Sequence, residues 1–307
     1  MLLALLKKYR AVKHWPTWFG LAVMRFIAFL PLPVIAIFGY IIGSIAYVLP
    51  FTRRDIALQN LQACFPEKDT RELKLINFKH FCYLGQSVLV TPMNWWISEQ
   101  RFDRLTSIVG REDYDSALAE GKNIILLTPH FLAIEISGLS LQRERDMIGV
   151  YQYMKNPLMD EVAKAGRIRF CNDGLMFERK QPLRTLLRWI RKGLPMSYSP
   201  DQDAGRKGVL VPFFHPLAST TPALAKFIAT THCEVFPCMN EILPWGQGYR
   251  VTLGPRIADL NTGDELQDTS AMNRAIEDMV RALPEQYLWV HKRFKTRPEG
   301  EQGFYSS

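Results

Sequence analysis

The sequence predicts an α/β protein whose central sheet is mostly parallel or mixed and covered by helices. Three observations predict it. From about residue 105 onward, short apolar runs alternate with helix-like stretches. One run, NIILLT at 123–128, is apolar throughout its centre, as in strands buried on both faces. Nearly half of the 307 residues are hydrophobic (48%), enough for a sizeable core.

The elements follow in order. Residues 26–50, FIAFLPLPVIAIFGYIIGSIAYVLP, carry no charge. A bilayer-spanning helix needs about 20 such residues. Pro31 and Pro33 disrupt a helix interior but suit a first turn. A helix starting near Pro33 keeps about 17 residues, or about 26 Å. Lys7, Lys8, Arg10, Lys13 and Arg25 precede the run, and Arg53 and Arg54 follow it, so the flanks set no orientation. The run is long and starts late for a cleavable signal. Trp15 and Trp18 suit a membrane interface. Residues 1–52 therefore read as a membrane-associated hydrophobic helix region, spanning or lying in one leaflet, and residues 53–307 as a catalytic domain. The alternative is an apolar helix packed on the globular part.

RRDIALQNLQACF (53–65) has helical apolar spacing. FPEKDT breaks it, and Thr70 is placed to cap RELKLINFKHFCYLGQSVL (71–89). REDYDSALAEGK is a short helix closed by Gly121. After the 123–128 strand come a helix at 131–143, a strand at 146–153 and a helix at 156–170 with Pro157 near its start. PLRTLLRWIRKG (182–193) is an amphipathic basic helix. LPMSYSPDQ is a strand and turn. GVLVPFF (208–214) and CEVFPCMNEIL (233–243) are strands on either side of the helix TTPALAKFIATTH. YRVTLGPRI is a strand and TSAMNRAIEDMVRALPEQ a helix.

Charge and cysteines narrow the function classes. The formal net charge is +8, which favours anionic partners. No zinc-finger or other nucleic-acid motif occurs, so nucleic acid is the weaker account of that charge. Five cysteines without a Cys-x-x-Cys pair are not a disulfide framework. His232, Cys233 and Cys238 lie close together but need further partners to bind metal.

The chemistry concentrates in LLTPHFLAIEISG (126–138). His130 and Glu135 stand in apolar surroundings, where polar groups are normally partnered. They are a satisfied core pair, metal ligands or a catalytic dyad. Five residues on a helix turn through about 500°, leaving the two about 140° apart. They meet only if His130 precedes the first regular turn. His130 falls where a strand hands over to a helix, the place where α/β sheets gather their sites. A carboxylate on one imidazole nitrogen would fix the tautomer and leave the other as a general base. No nucleophile elbow, zinc helix or phosphate loop is present. Attack by a hydroxyl on an already activated acyl thioester needs no enzyme nucleophile.

His-x-x-x-x-Glu after a short strand resembles the lysophospholipid-acyltransferase superfamily, with its glycerolipid-acyltransferase-like fold. Four other blocks resemble its bacterial branch, the late acyltransferases of lipid A biosynthesis. They are NLQACFPEK (60–68), KNPLMDEV with GRIRF (155–170), SPDQDAGRKGVLVPFFHPLASTTPA (199–223) and PEQYLWVHKRFKTRPEG (284–300). They occur in the family's order, though His215-Pro216 and Pro222 depart from it. The resemblance implies transfer of an acyl chain from acyl carrier protein to the hydroxyl of a 3-hydroxyacyl chain on a Kdo-bearing lipid A precursor. It implies His130 as general base, Glu135 as its orienting acid, and Arg167, Arg169 and Asp201 as substrate-binding residues. It implies no cofactor and no metal. It places the enzyme among inner-membrane lipids, with the catalytic domain facing the cytoplasm.

Overall fold

A computed structural model describes residues 2–49, 52–171, 175–178 and 181–305. Three helices open the chain: α1 (Leu2–Lys8), α2 (Trp15–Phe29) and α3 (Leu32–Val48). Two longer-range supports follow, α4 (Thr52–Cys64) and α5 (Thr70–Trp96). The α/β part runs α6 (Glu99–Leu105), β1 (Thr106–Val109), α7 (Glu112–Ala119), β2 (Ile124–Leu127), α8 (Glu135–Leu141), β3 (Ile148–Tyr151) and α9 (Pro157–Arg167). It continues through β4 (Leu175–Glu178), α10 (Leu183–Arg191), β5 (Met196–Tyr198), β6 (Val209–Pro212) and β7 (Leu217–Thr220). It closes with α11 (Ala223–Thr231), β8 (Glu234–Ile242), β9 (Tyr249–Leu253) and α12 (Glu265–Ala282).

Seven strands form one sheet in the order β1-β9-β8-β2-β5-β3-β4. All pairings are parallel except β8 with β9. The sheet is thus mixed but mostly parallel, and β2 lies at its centre. All four residues of β2 are buried. Ile125 and Leu127 enter one core with α4, α10, α11 and α12; Ile124 and Leu126 enter the other with α7 and α8. Period-two alternation sends successive side chains to opposite faces, so a strand covered on both sides must be apolar throughout.

Several local expectations are corrected. Thr70 does not cap α5: Asp69 does, and Glu72 completes a capping box. The Asp69 carboxylate reaches the third helical N–H, one residue ahead of the site read from the sequence. GVLVPFF contributes β6, but β6 pairs antiparallel with β7 in a separate two-stranded ribbon. Strands β1 and β4, of four residues each, were not expected. Both carry partly exposed residues, and their apolar runs are only two and three residues long.

The expected break at Pro31 is present, and α3 has 17 residues. Among the described residues no single helix is long and apolar enough to cross a membrane. Instead α3 lies lengthwise on α5. The close approach depends on glycines. A Cβ at Gly43 would stand 2.1 Å from the Phe81 carbonyl oxygen, and one at Gly39 2.5 Å from Gln86 Cα. The facing Gly85 would meet the Gly39 carbonyl oxygen at 2.2 Å.

Candidate active site

His130 lies between β2 and α8, five residues before the helix starts at Glu135. Asp201 follows β5, the parallel neighbour of β2. Adjacent parallel strands end side by side, so the two loops meet at the carboxyl edge of the sheet. His130 Nδ1 and Asp201 Oδ1 are 2.6 Å apart. The other carboxylate oxygen accepts the His130 backbone N–H at 2.8 Å. The Leu288 N–H donates to the His130 carbonyl at 3.0 Å. Backbone and ring are therefore both held.

Asp201 is 1% exposed, whereas the His130 side chain keeps 26%. Its Nδ1 is engaged, so Nε2 is the nitrogen left for chemistry. Burial opposes the imidazolium, but the Asp201 charge and hydrogen bond outweigh it and raise the His130 pKa above 6.5. Burial likewise opposes the carboxylate. The charge of His130, its two hydrogen bonds and the charge of Arg293 prevail and lower the Asp201 pKa below its ordinary 3.8.

The expected partnership of His130 with Glu135 is not what the fold builds. His130 does precede the regular helix, as that pairing required, but its ring turns to Asp201. Glu135 accepts from Arg167 at 2.7 Å and from the Trp95 indole at 3.1 Å. Glu135 thus fixes Arg167, which retains a 30% exposed side chain. Arg169 points elsewhere. It donates to the carbonyls of Asn94 and Ile97 at the end of α5 and covers the Phe170 ring at 4.5 Å. A cation there suits the helix's negative pole. Of the five expected site residues, His130 and Asp201 form one bonded group, Glu135 and Arg167 a second, and Arg169 a third position.

The 284–300 block supplies residues to which the sequence alone assigns no role. It straps the His130 loop from the side. Phe131 bridges to Tyr287, and the Leu132 N–H donates to the Gln286 carbonyl at 2.9 Å. Arg293, 3% exposed, donates to the Ser219 carbonyl at 2.7 Å and the Thr220 hydroxyl at 2.6 Å. His291 Nε2 accepts the Asp203 N–H at 3.0 Å, as a neutral imidazole does, and burial lowers its pKa. Asn60 donates to the carbonyls of Trp289 and His291 at 2.7 and 2.9 Å. A small cleft opens between His130, Asp201, Asn60, Leu288, His291 and Arg293. In the sequence the block stands out by its family resemblance and its density of polar and aromatic residues, neither of which says what it touches.

Among the described residues no group of three or more His, Cys, Asp or Glu side chains could hold a metal ion. His232 instead closes α11 in the left-handed conformation, φ 51°.

Comparison with known proteins adds the reaction class. The family described as bacterial lipid A biosynthesis acyltransferase matches residues 4–296. The chain is 32% identical to the lipid A biosynthesis lauroyltransferase of Escherichia coli (strain K12), over 95% of both chains. It is 32% identical to the palmitoleoyltransferase of the same organism, again over 95% of each. The myristoyltransferase of that strain is 27% identical, over 96% of this chain and 91% of the relative.

Proposed function

The chain belongs to the bacterial lipid A biosynthesis acyltransferases, and from that premise we propose that His130 and Asp201 carry an acyl transfer from acyl carrier protein to a hydroxyl on a lipid A precursor. The observation that carries the reading is the 2.6 Å pair at the ends of two adjacent central strands. Asp201 holds the tautomer with the proton on Nδ1. His130 Nε2 takes the proton of the acceptor's 3-hydroxyacyl hydroxyl as its oxygen attacks the thioester carbonyl. The tetrahedral oxyanion collapses, the carbon–sulfur bond breaks, and the imidazolium returns its proton to the leaving thiolate. An acyloxyacyl ester and free carrier thiol result.

Arg167, held by Glu135, is the group we assign to an anionic part of the acceptor. Its Nε and one terminal nitrogen serve Glu135, leaving part of a fork that suits phosphate. Exposed arginines on α10, Arg184 and Arg188, suit an acidic carrier. The exposed apolar residues of α2 and α3 suit the inner-membrane surface, with the catalytic part on its cytoplasmic side. Because α3 is docked along α5, we assign it to one leaflet rather than to a crossing.

The test supplies acyl carrier protein loaded with saturated chains of several lengths, together with a Kdo-bearing lipid A precursor. The expected product is heavier by one acyl group, joined as an ester on an acyl chain, and its mass identifies the preferred chain. Folded protein that leaves the precursor mass unchanged with every donor overturns the assignment.

A further inference from the structure

Trp245 stands on the turn between β8 and β9, far in sequence from the amino-terminal helices. It is 67% exposed, and its backbone holds φ at 55°. A large apolar ring on a left-handed, non-glycine residue is doubly costly in water. The turn is held in place. Gly246, φ 77°, lies so close to α3 that a Cβ there would come within 2.4 Å of the Pro33 nitrogen. The Trp245 ring stacks on Tyr40, with centroids 6.1 Å apart and 25° between planes.

This contact joins Trp245 to an apolar face. On α3, the stripe of Ile35, Gly39 and Gly43 is buried, while Phe38, Ile41 and Ile45 are 47–55% exposed. No charged residue interrupts α3. On α2, Phe26 and Phe29 are 67% and 65% exposed beside the cation Arg25. Exposed apolar residues on three separate elements with a basic neighbour fit an anionic lipid surface better than water. Tryptophan in particular favours the boundary between hydrocarbon and headgroups.

We infer that the Trp245 turn is a second lipid-contacting element, which inserts its indole into the same leaflet that receives α2 and α3. This rests on the membrane reading above. Because α3 is docked along α5, lipid reaches it only from the side. Tyr40 lies at the middle of α3, so the stacked Trp245 meets that same lipid surface. The carboxyl end of β8 is thereby drawn toward the bilayer. The other half of β8, Glu234–Pro237, pairs with β2, which leads into the His130 loop, while Ile242 at the carboxyl end bonds Gln286 of the closing block.

The test uses the full chain and equimolar phosphatidylcholine–phosphatidylglycerol vesicles. Trp245→Ser is expected to weaken vesicle partitioning about tenfold, the effect of withdrawing one buried aromatic side chain from the interface. Lipids with brominated chains are expected to quench a smaller share of tryptophan emission in Trp245→Phe than in wild type, because the inserted indole is gone. Ile41→Ser probes α3 separately. Unchanged partitioning in Trp245→Ser together with unchanged quenching in Trp245→Phe, while wild type binds, overturns the inference alone. Wild type that stays off the vesicles overturns the membrane reading and the inference with it. If Trp245→Ser fails to fold, the quenching of Trp245→Phe, which keeps an aromatic ring, decides.

Discussion

In the proposed transfer His130 can take a proton only when neutral, and its neighbours set the pH at which that happens. Asp201 raises the imidazole pKa above 6.5 against the opposing effect of burial. The rate at low substrate should therefore rise with pH through that raised value, as the imidazolium loses its proton. Asp201→Asn removes the charge and leaves burial unopposed. The acidic limb of the profile should then move to lower pH, while kcat falls about 10²–10⁴-fold through loss of the tautomer and of imidazolium stabilisation. A pH–rate series on both proteins checks both statements. If Asp201→Asn keeps the wild-type limb and rate, Asp201 is not the orienting acid. At this scale the sequence made His130 legible through its place after an apolar strand. It mispaired the residue, because Glu135 is near in the chain and Asp201, 71 residues away, is near only in space.

Helix boundaries and the apolar strands were largely readable, because periodicity and caps are local. The α3–α5 contact was not. It rests on Gly39 and Gly43, whose neighbours on α5 lie 47 and 38 residues further on. Gly43→Val would push a branched side chain into the α5 backbone at Phe81 and Cys82, since even a Cβ would lie 2.1 Å from a carbonyl oxygen. Backbone cannot step aside as a flexible side chain can. A loss of about 1–3 kcal/mol or more is expected from overpacking. Thermal unfolding of Gly43→Val beside Gly20→Ala, where no atom lies within 4 Å of the added carbon, would measure it. Equal midpoints would show that the helices separate freely. The four-residue strands β1 and β4 are illegible in the sequence for a related reason. A short strand at a sheet edge has one covered face and no long apolar run.

Across the whole molecule, the closing strap ties the ends of the chain to the centre. Asn60 on α4 bonds the carbonyls of Trp289 and His291 and accepts from the Tyr305 hydroxyl at 2.6 Å. Asn60→Ala leaves those carbonyls without their donor in a buried place. The expected cost is about 2–4 kcal/mol, with lowered activity because the strap also holds the His130 carbonyl. Urea unfolding, with activity followed in parallel, tests this; an unchanged midpoint would mean that water replaces the amide. The sequence by itself determined the α/β class, the apolar amino-terminal run, the strand-to-helix position of His130 and, through its motifs, the family. Those properties depend on local composition and spacing. Only the tertiary structure decided which acid meets His130, that Glu135 serves Arg167, that α3 lies along α5, and that Trp245 joins its exposed face. Each of these depends on strand order and helix docking, which bring together residues tens to hundreds of positions apart by packing and hydrogen bonding rather than by any local pattern.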